Sequence, residues 1–505
     1  MLNLVILPSI SIAALTLPFD LTLWSLFIWF GRFLGVLFLP PVLLQRSTRP
    51  MATLVWILSI LFIPYLGVLM WWIFGRNQMK RRRRRHHRAR QTVASRVEAL
   101  SQHPPLPTSH QSLAHLPVDD RFHLVTRNDF NFFPPTGASN NVSVYPTGAR
   151  AFEAFEAAIA SAEHHIHLLF YIWKSDQIGT HFRDLLVERA RQGLEVRLLY
   201  DAVGAVGLRS SFFAPLIDAG GEVASFLPLS ILERRLRINF RNHRKILIID
   251  GKSGFTGGVN VAQEHLHWRD MAFGFQGPVV HQMQEVFAED WFFATGKDLA
   301  EQIYFPSVSA PPPSLPESLS TFSDVPVRFV ASGPDDPLQT IHKMFFFAIT
   351  NARTRIDIIT PYFVPDTAIF TALQTAAMQG IPIRIILPGK TDVLLTRYAG
   401  RSFWESLLEI GIRLYEFDGP ILHAKLLLLD QSHLLVGSAN MDVRSFRLNF
   451  EANSVVESEE VNRAMTLVFE DMLRESTQIH LHEFQRRSRK ERLLEGAARL
   501  FSPLL

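Results

Sequence analysis

One short pattern constrains this chain more than any other, because it occurs twice. His243-Arg244-Lys245 is followed by four apolar residues and Asp250, and His423-Ala424-Lys425 by four leucines and Asp430. Side chains alternate along an extended chain, so the His and Lys of each pattern share a side. The intervening stretches, 246–249 and 426–429, read as strands buried on both faces. A charged pair at the mouth of a buried strand is costly without partners, and such sites are often functional.

The surrounding sequence repeats as well. From about residue 127 the chain reads as a duplicated α/β unit. Residues 158–176 and 348–366 each read as a helix end followed by a strand. Residues 188–200 and 375–387 each read as a helix closed by a C′ glycine (Gly193, Gly380) and then a strand. Each half passes through its H-x-K strand to a turn and an Asn: Gly257-Gly258-Val259-Asn260 and Gly437-Ser438-Ala439-Asn440. Acids follow at Asp270 and Glu451, 27 and 28 residues after the respective His. A carboxylate on the second ring nitrogen fixes a histidine's tautomer and raises its basicity. The near-equal spacing pairs His243 with Asp270, and His423 with Glu451.

The 505 residues divide by composition into a membrane region (1–75), a basic and Pro-rich linker (76–125), a first α/β half (126–305), a Pro-rich linker (306–325) and a second half (326–505). Met51–Gly75 is uncharged and long enough to span a bilayer. Leu21–Gln45 is a second candidate span, interrupted by Arg32, and Leu2–Phe19 is a third apolar stretch containing Pro8 and Pro18. The run Lys80 to Arg90 holds that end on the cytoplasmic side and attracts anionic lipid. It abuts a membrane segment and lacks interleaved aromatics, so no nucleic-acid partner is expected. With no cysteine, the chain has no disulfide, zinc thiolate or cysteine nucleophile. Basic residues among Leu and Phe in 479–505 fit either an interfacial amphipathic helix or a basic helix packed on the domain.

The paired motifs resemble those of the phospholipase D superfamily. FRNHRKILIIDGKSGFTGGVN (240–260), WRDMAFGFQGPVV (268–280), PYFVPD (361–366) and GSANMDVRSFRLNFE (437–451) resemble, more narrowly, the bacterial cardiolipin synthases, as do residues 49–75 and the closing LFSPLL. The resemblance implies transmembrane helices followed by a duplicated α/β sandwich, whose pseudo-symmetric halves share one active site at their interface. His243 and His423 would then be neighbours across 180 residues of sequence. It implies transfer of a phosphatidyl group from one phosphatidylglycerol to another, with cardiolipin and glycerol as products, at the bacterial inner membrane. The partners are then phosphatidylglycerol and other anionic membrane phospholipids.

Phosphodiester exchange needs a nucleophile, an acid for the departing alkoxide, and positive charge around the non-bridging oxygens. Two histidines facing one phosphate can supply the first two. Lys245, Lys425, Asn260 and Asn440 would hold the oxygens, with Ser438 a further donor. The two lysines supply the charge a metal would, so neither metal nor cofactor is expected. Asp250 and Asp430 belong to the family's catalytic signature, yet an Asp closing a buried strand more often serves a turn or cap. The same residues would serve a membrane-anchored phospholipase D or a nuclease. A non-catalytic lipid-binding scaffold is disfavoured, because both His, Lys, Asn and acid sets are intact.

Several other residues invite sharper readings. His164, His165 and His167 suggest a metal, but only two share a strand face and satisfied histidines are expected. His265 and His267 follow the Gly-Gly-x-Asn turn, where surface positions are expected. Tyr171 and Tyr362 occupy matching strand positions, read as core, and Phe345–Phe347 reads as a core helix.

Overall fold

The computed structural model describes residues 23–44, 50–72, 89, 91–93, 95–97, 136–227, 240–306 and 320–505. The chain separates into an N-terminal unit, Met1–Lys80, and a larger unit, Arg81–Leu505. In the N-terminal unit, helix α1 (Leu23–Leu44) packs against α2 (Pro50–Phe62) and α3 (Pro64–Met70). Glycines on α1 allow this approach. A Cβ at Gly31 would lie 2.7 Å from the Tyr65 ring, and Tyr65 stacks on Phe27 and donates its hydroxyl to that residue's carbonyl.

One helix segment, Ser25–Leu44, is long and apolar enough to cross a membrane among the described residues. Met51–Gly75, expected from sequence as one span, is instead broken. Ile63 (φ −133°, ψ 68°) separates α2 from α3, and Pro64 opens the second helix. A proline has no N–H to continue the helical ladder and its ring excludes a carbonyl one turn back, so it fits a first-turn position and not a helix interior. Leu2–Phe19 and the linker 98–125 lie outside the described residues, as does the Arg run apart from Ala89.

The larger unit is a duplicated α/β structure. The strands are β1 (Thr136–Tyr145), β2 (His165–Phe170), β3 (Glu195–Asp201), β4 (Glu222–Phe226), β5 (Arg241–Asn242), β6 (Ile246–Ile249), β7 (Ser253–Gly257), β8 (Ala272–Gln276) and β9 (Thr321–Ser332). The second half continues with β10 (Ile356–Ile359), β11 (Phe363–Val364), β12 (Ile383–Pro388), β13 (Arg413–Phe417), β14 (Leu426–Leu429), β15 (His433–Gly437), β16 (Met441–Asp442), β17 (Asn449–Glu457) and β18 (Ser476–Ile479).

One sheet runs β18-β13-β12-β10-β14-β15-β17-β9-β1-β8-β7-β6-β2-β3-β4. Read outward from the antiparallel β1–β9 pair, the two halves repeat the same order: β8-β7-β6-β2-β3-β4 on one side, β17-β15-β14-β10-β12-β13 on the other. The duplication therefore gives a pseudo-twofold through the middle of the sheet. The H-x-K strands β6 and β14 are central and buried along their whole length, as their unbroken apolar runs require.

Helices cover both faces. Val279–Thr295 and Glu459–Arg474 share a core that spans the two halves. Gly148–Ala160 and Gln177–Arg191 cover the other face of the first half, and Thr340–Asn351, Thr367–Met378 and Leu394–Glu409 that of the second. Gly193 and Gly380 have the positive φ that a C′ position requires, 93° and 84°. The C-terminal helix Arg489–Arg499 packs on Leu394–Glu409, with Glu495 buried between Arg401 and Arg487. One face of this helix is thus packed on the domain, while Leu493, Leu500 and Phe501 stay exposed.

Asp250 and Asp430 sit at the far ends of β6 and β14 from the histidines. Both adopt left-handed backbone (φ 54° and 52°), a conformation that Asp and Asn tolerate better than bulkier residues. The Asp250 carboxylate accepts backbone N–H bonds from Glu163, His164 and His165, each 2.8 Å long. Asp430 does the same for Arg353, Thr354 and Arg355. Burial would raise the Asp430 carboxyl, but these donors hold it below its ordinary value. The two aspartates staple the H-x-K hairpin to the start of β2 or β10.

Asp250→Asn and Asp430→Asn, which keep one acceptor oxygen and tolerance for positive φ, are expected to retain most of the turnover. Asp250→Ala is expected to lower the unfolding free energy by about 1–3 kcal/mol. Thermal melts beside initial rates check this; an Asn variant as inactive as a histidine variant would make the aspartate a chemical participant.

Candidate active site

The two H-x-K segments meet between the halves, and strand pairing brings them there. Strand β5 runs parallel to β17, pairing Arg241 with Asn449 and Asn242 with Phe450. The His243 backbone N–H then donates to the Phe450 carbonyl (2.8 Å). On the other side of the pseudo-twofold, the His423 N–H donates to the Arg269 carbonyl (2.9 Å). Each histidine is thereby docked on the acid-bearing segment of the opposite half.

This overturns the pairing drawn from spacing. His243 donates from Nδ1 to Glu451 Oε2 (3.0 Å), and His423 from Nδ1 to Asp270 Oδ2 (2.7 Å). Spacing along the chain relates residues within a half, whereas the hydrogen bonds cross between halves. In both cases Nδ1 carries the proton, so Nε2 is left with its lone pair.

The environment of the two carboxylates differs. Glu451 also accepts from Asn449 Nδ2 (3.0 Å) and from the Ser438 hydroxyl. Ser438 accepts in turn from the Ala452 N–H (2.9 Å), so its hydroxyl is engaged in placing Glu451. Asp270 lies 3.3 Å from His265 Nδ1. Where the second half has Ser438, the first has Gly258. A Cβ there would lie 2.1 Å from Asp270 Oδ1, so only glycine leaves room for the shorter acid.

All of these groups are buried, and burial dominates their ionisation. Burial, helped by Lys245 and Lys425, holds His243 well below its ordinary value; burial and Lys425 do the same to His423, against Asp270. Burial brings Lys245 down to about 7 and Lys425 down to about 8. It pushes Glu451 up to about 7, with Lys245 opposing. Burial would raise Asp270 too, but His423, His265 and Lys425 hold it far below the carboxylate range. The pocket is therefore poised to receive an anion, which would favour the charged lysines and histidines.

The asparagines lie beside these groups. Asn260 Oδ1 accepts the Ile172 N–H (3.1 Å), and its Nδ2 lies 3.2 Å from His265 Nε2. Asn440 Oδ1 is buried and has no hydrogen-bond partner among the described residues.

Sequence reasoning placed several residues wrongly. His265 is buried, its ring 5.2 Å from that of His423, where a surface position was expected. Tyr171 is no mere core residue: its ring lies 4.8 Å from His243, and its hydroxyl accepts from Arg241 (2.9 Å). Trp268 packs 5.3 Å from His423. The alternation Arg241, His243, Lys245 carried a signal for Arg241; nothing in sequence marked Trp268. His265, Asp270 and His423 place their donor atoms within 4.8 Å of one another, and hydrogen bonding within the site accounts for the grouping. His165 and His167 are buried structural residues. His167 Nδ1 lies 3.0 Å from Gln284 Oε1, and its ring stacks on Phe287. Phe345 is in the core and Phe346 is exposed.

A duplicated α/β fold that brings two His-Lys sets together, each His backed by a carboxylate, defines a phospholipase D-type site. The family described as "Cardiolipin synthase, PLD-like domain" matches residues 155–291 and 346–473, once in each half. One described as "Phospholipase_D-nuclease N-terminal" matches 41–76. Cardiolipin synthase 2 of Bacillus anthracis is 39% identical over 365 residues, which cover 71% of this chain and 69% of that protein. The cardiolipin synthase of Geobacillus kaustophilus is 38% identical over 378 residues, 74% of each. The crystal structure of phosphatidylserine synthase from Haemophilus influenzae shares the fold (TM-score 0.54, 15% identity), covering 72% of this chain and 95% of that one. The chain belongs to the cardiolipin synthase family of the phospholipase D superfamily, and is a phosphatidyltransferase of phospholipid biosynthesis.

With both lysines lowered by burial, kcat/KM should fall as pH rises through about 7 to 8, where the free enzyme loses the charge that binds phosphate. The corresponding fall in kcat should lie at higher pH, because bound phosphate favours the charged lysines. A pH–rate series in lipid vesicles checks this; a kcat/KM flat to about pH 10, near the value of an unperturbed lysine, would contradict it.

Proposed function

We propose that the chain transfers the phosphatidyl group of one phosphatidylglycerol to the terminal hydroxyl of another, through a phosphohistidine. The observation that carries this reading is the crossed pair of Nδ1–carboxylate bonds, His243 to Glu451 and His423 to Asp270. They leave both Nε2 atoms for one phosphate, His243 Nε2 with its lone pair and His423 Nε2 taking up a proton once the anionic substrate is bound.

The asymmetry of the carboxylates supports distinct roles. Asp270 is held ionised and therefore stabilises an imidazolium on His423, which suits a general acid. Glu451, pushed up to about 7, is the weaker electrostatic partner and leaves His243 neutral and nucleophilic. His243 Nε2 attacks phosphorus, the bond to the glycerol oxygen breaks, and His423 donates its proton to that oxygen. His423 then takes the proton of the incoming lipid hydroxyl, whose oxygen displaces His243. Lys245, Lys425, Asn260 and Asn440 hold the non-bridging oxygens. Ser438 acts through Glu451.

Both substrates are bilayer lipids, which gives the apolar N-terminal segments a purpose: they keep the enzyme where its substrates are concentrated. A multi-pass arrangement in the bacterial inner membrane, with the catalytic unit on the cytoplasmic face, is supported by the basic run Lys80 to Arg90.

Full-length protein in phosphatidylglycerol vesicles without added alcohol should release cardiolipin and glycerol together. His243→Ala and His423→Ala should each lower this by about 10³-fold or more. Phosphatidic acid with glycerol would instead make water the acceptor and the protein a phospholipase. Near-normal turnover in either variant would overturn the two-histidine mechanism.

A further inference from the structure

Both catalytic histidines lie at one end of the sheet, and strand direction fixes which loops border that end. Strand β2 is parallel to β3 and antiparallel to β6. His243 precedes β6, so it lies where β2 and β3 end. In the second half β10 is parallel to β12 and antiparallel to β14, which puts His423 where β10 and β12 end. A direct contact agrees: Asp201, the last residue of β3, accepts the N–H of Asn242 (2.7 Å), the neighbour of His243. The segments that follow β3 and β12, residues 202–209 and 389–393, therefore border the site as a pseudo-symmetric pair.

Both flanks hold apolar side chains in solvent. Val206 is 70% exposed; Leu394 and Leu395, which open the helix Leu394–Glu409, are 66% and 40% exposed. The end of the chain adds to the second flank. Strand β15 runs antiparallel to β14, pairing Val436 with Leu426, so residues 438–444 also lie at the histidines' end. There Arg444 donates from Nη1 to the Leu504 carbonyl (2.8 Å) and from its backbone N–H to Leu505 O (2.7 Å). The helix Arg489–Arg499, which leads to these residues, packs on Leu394–Glu409. Leu500 (80%), Phe501 and Leu504 are exposed beyond it. Single exposed leucines are ordinary, but a set of them around one site calls for an apolar partner.

Charge identifies that partner. Lys390 and Arg209 are exposed in the two loops, and Arg489, Lys490 and Arg492 on the C-terminal helix. The acid among them, Asp392, accepts from the Tyr362 hydroxyl (2.6 Å). Apolar side chains accompanied by cations suit the boundary between anionic headgroups and acyl chains. A phosphatidyltransferase must reach phosphodiesters that lie at this boundary. We propose that Val206 on one flank, and Leu394, Leu395, Leu500, Phe501 and Leu504 on the other, form a rim that docks the catalytic unit on an anionic phospholipid bilayer. Headgroups then reach the histidines while their acyl chains stay in the bilayer. The inference rests on the transferase reading above for the identity of the surface, and adds to the N-terminal segments a contact made by the catalytic unit itself.

The chain has no cysteine, so one introduced thiol directs an environment-sensitive fluorophore to a single position of the full-length protein. The vesicles are phosphatidylglycerol with phosphatidylcholine that carries an acyl-chain nitroxide. Labels at Leu394→Cys, Leu500→Cys and Val206→Cys should shift to the blue and lose most of their emission. Met378→Cys, 82% exposed but placed before the start of β12 at the opposite end of the sheet, should do neither. Rim labels that behave like Met378→Cys would leave the rim in water. A blue shift without nitroxide quenching would place a second copy of the chain there. Either overturns the proposal. The double variant Leu394→Ser, Leu500→Ser should lower turnover of vesicle phosphatidylglycerol about tenfold or more relative to short-chain phosphatidylglycerol dispersed as monomers, the scale of two leucines no longer buried. Equal losses on both substrates would also overturn it. Quenched rim labels on a protein that turns over no phospholipid would instead overturn the transferase reading and leave the docking in place.

Discussion

Two carboxylates reaching across a pseudo-symmetric interface hold this site together. His243, Lys245, His423 and Lys425 are all buried, and ionisable groups removed from water are sustained only by compensating partners. The compensation comes from Asp270 and Glu451, each in the half that does not contain its histidine. Neither half alone completes a His–carboxylate pair. The site therefore exists only where β5 lies along β17 and the Leu422–Arg269 bridge forms its counterpart, which ties chemical competence to docking of the halves.

Duplication supplies two copies of every catalytic group, but a group-transfer reaction needs two different histidines. Small substitutions break the symmetry. Gly258 leaves room for the short Asp270, which His265 and His423 keep ionised. Ser438 stands in the glycine's place and braces the longer Glu451, whose environment pushes its carboxyl up. At the positions of His265 and Arg444 the other half carries Ser445 and Glu264. The two halves keep one backbone plan while their histidines acquire unequal partners.

Much of the α/β unit was legible in sequence because its signals are local. The runs 246–249 and 426–429 could only be buried strands, and Gly193 and Gly380 mark helix ends by a backbone conformation that glycine adopts freely. The turn positions of Asp250 and Asp430 at the ends of these strands also follow from local turn chemistry. The crossed histidine pairing was not legible, because it depends on which strand lies beside which. His265 was discounted for the same reason: a loop histidine becomes a buried partner only once His423 arrives from the other half. Pro64 is a different case. Its signal was local and present, but the length and apolarity of Met51–Gly75 outweighed it.

The central claim is that one phosphate is handled by two unequal histidines in a single shared site. Quenching the wild-type enzyme during turnover of phosphatidylglycerol, then mapping the covalent phosphorus adduct by mass spectrometry, tests it most directly. The account predicts an adduct on His243 alone, with at most one per chain. Adducts on both histidines of one chain, an adduct confined to His423, or turnover with no covalent adduct would contradict it.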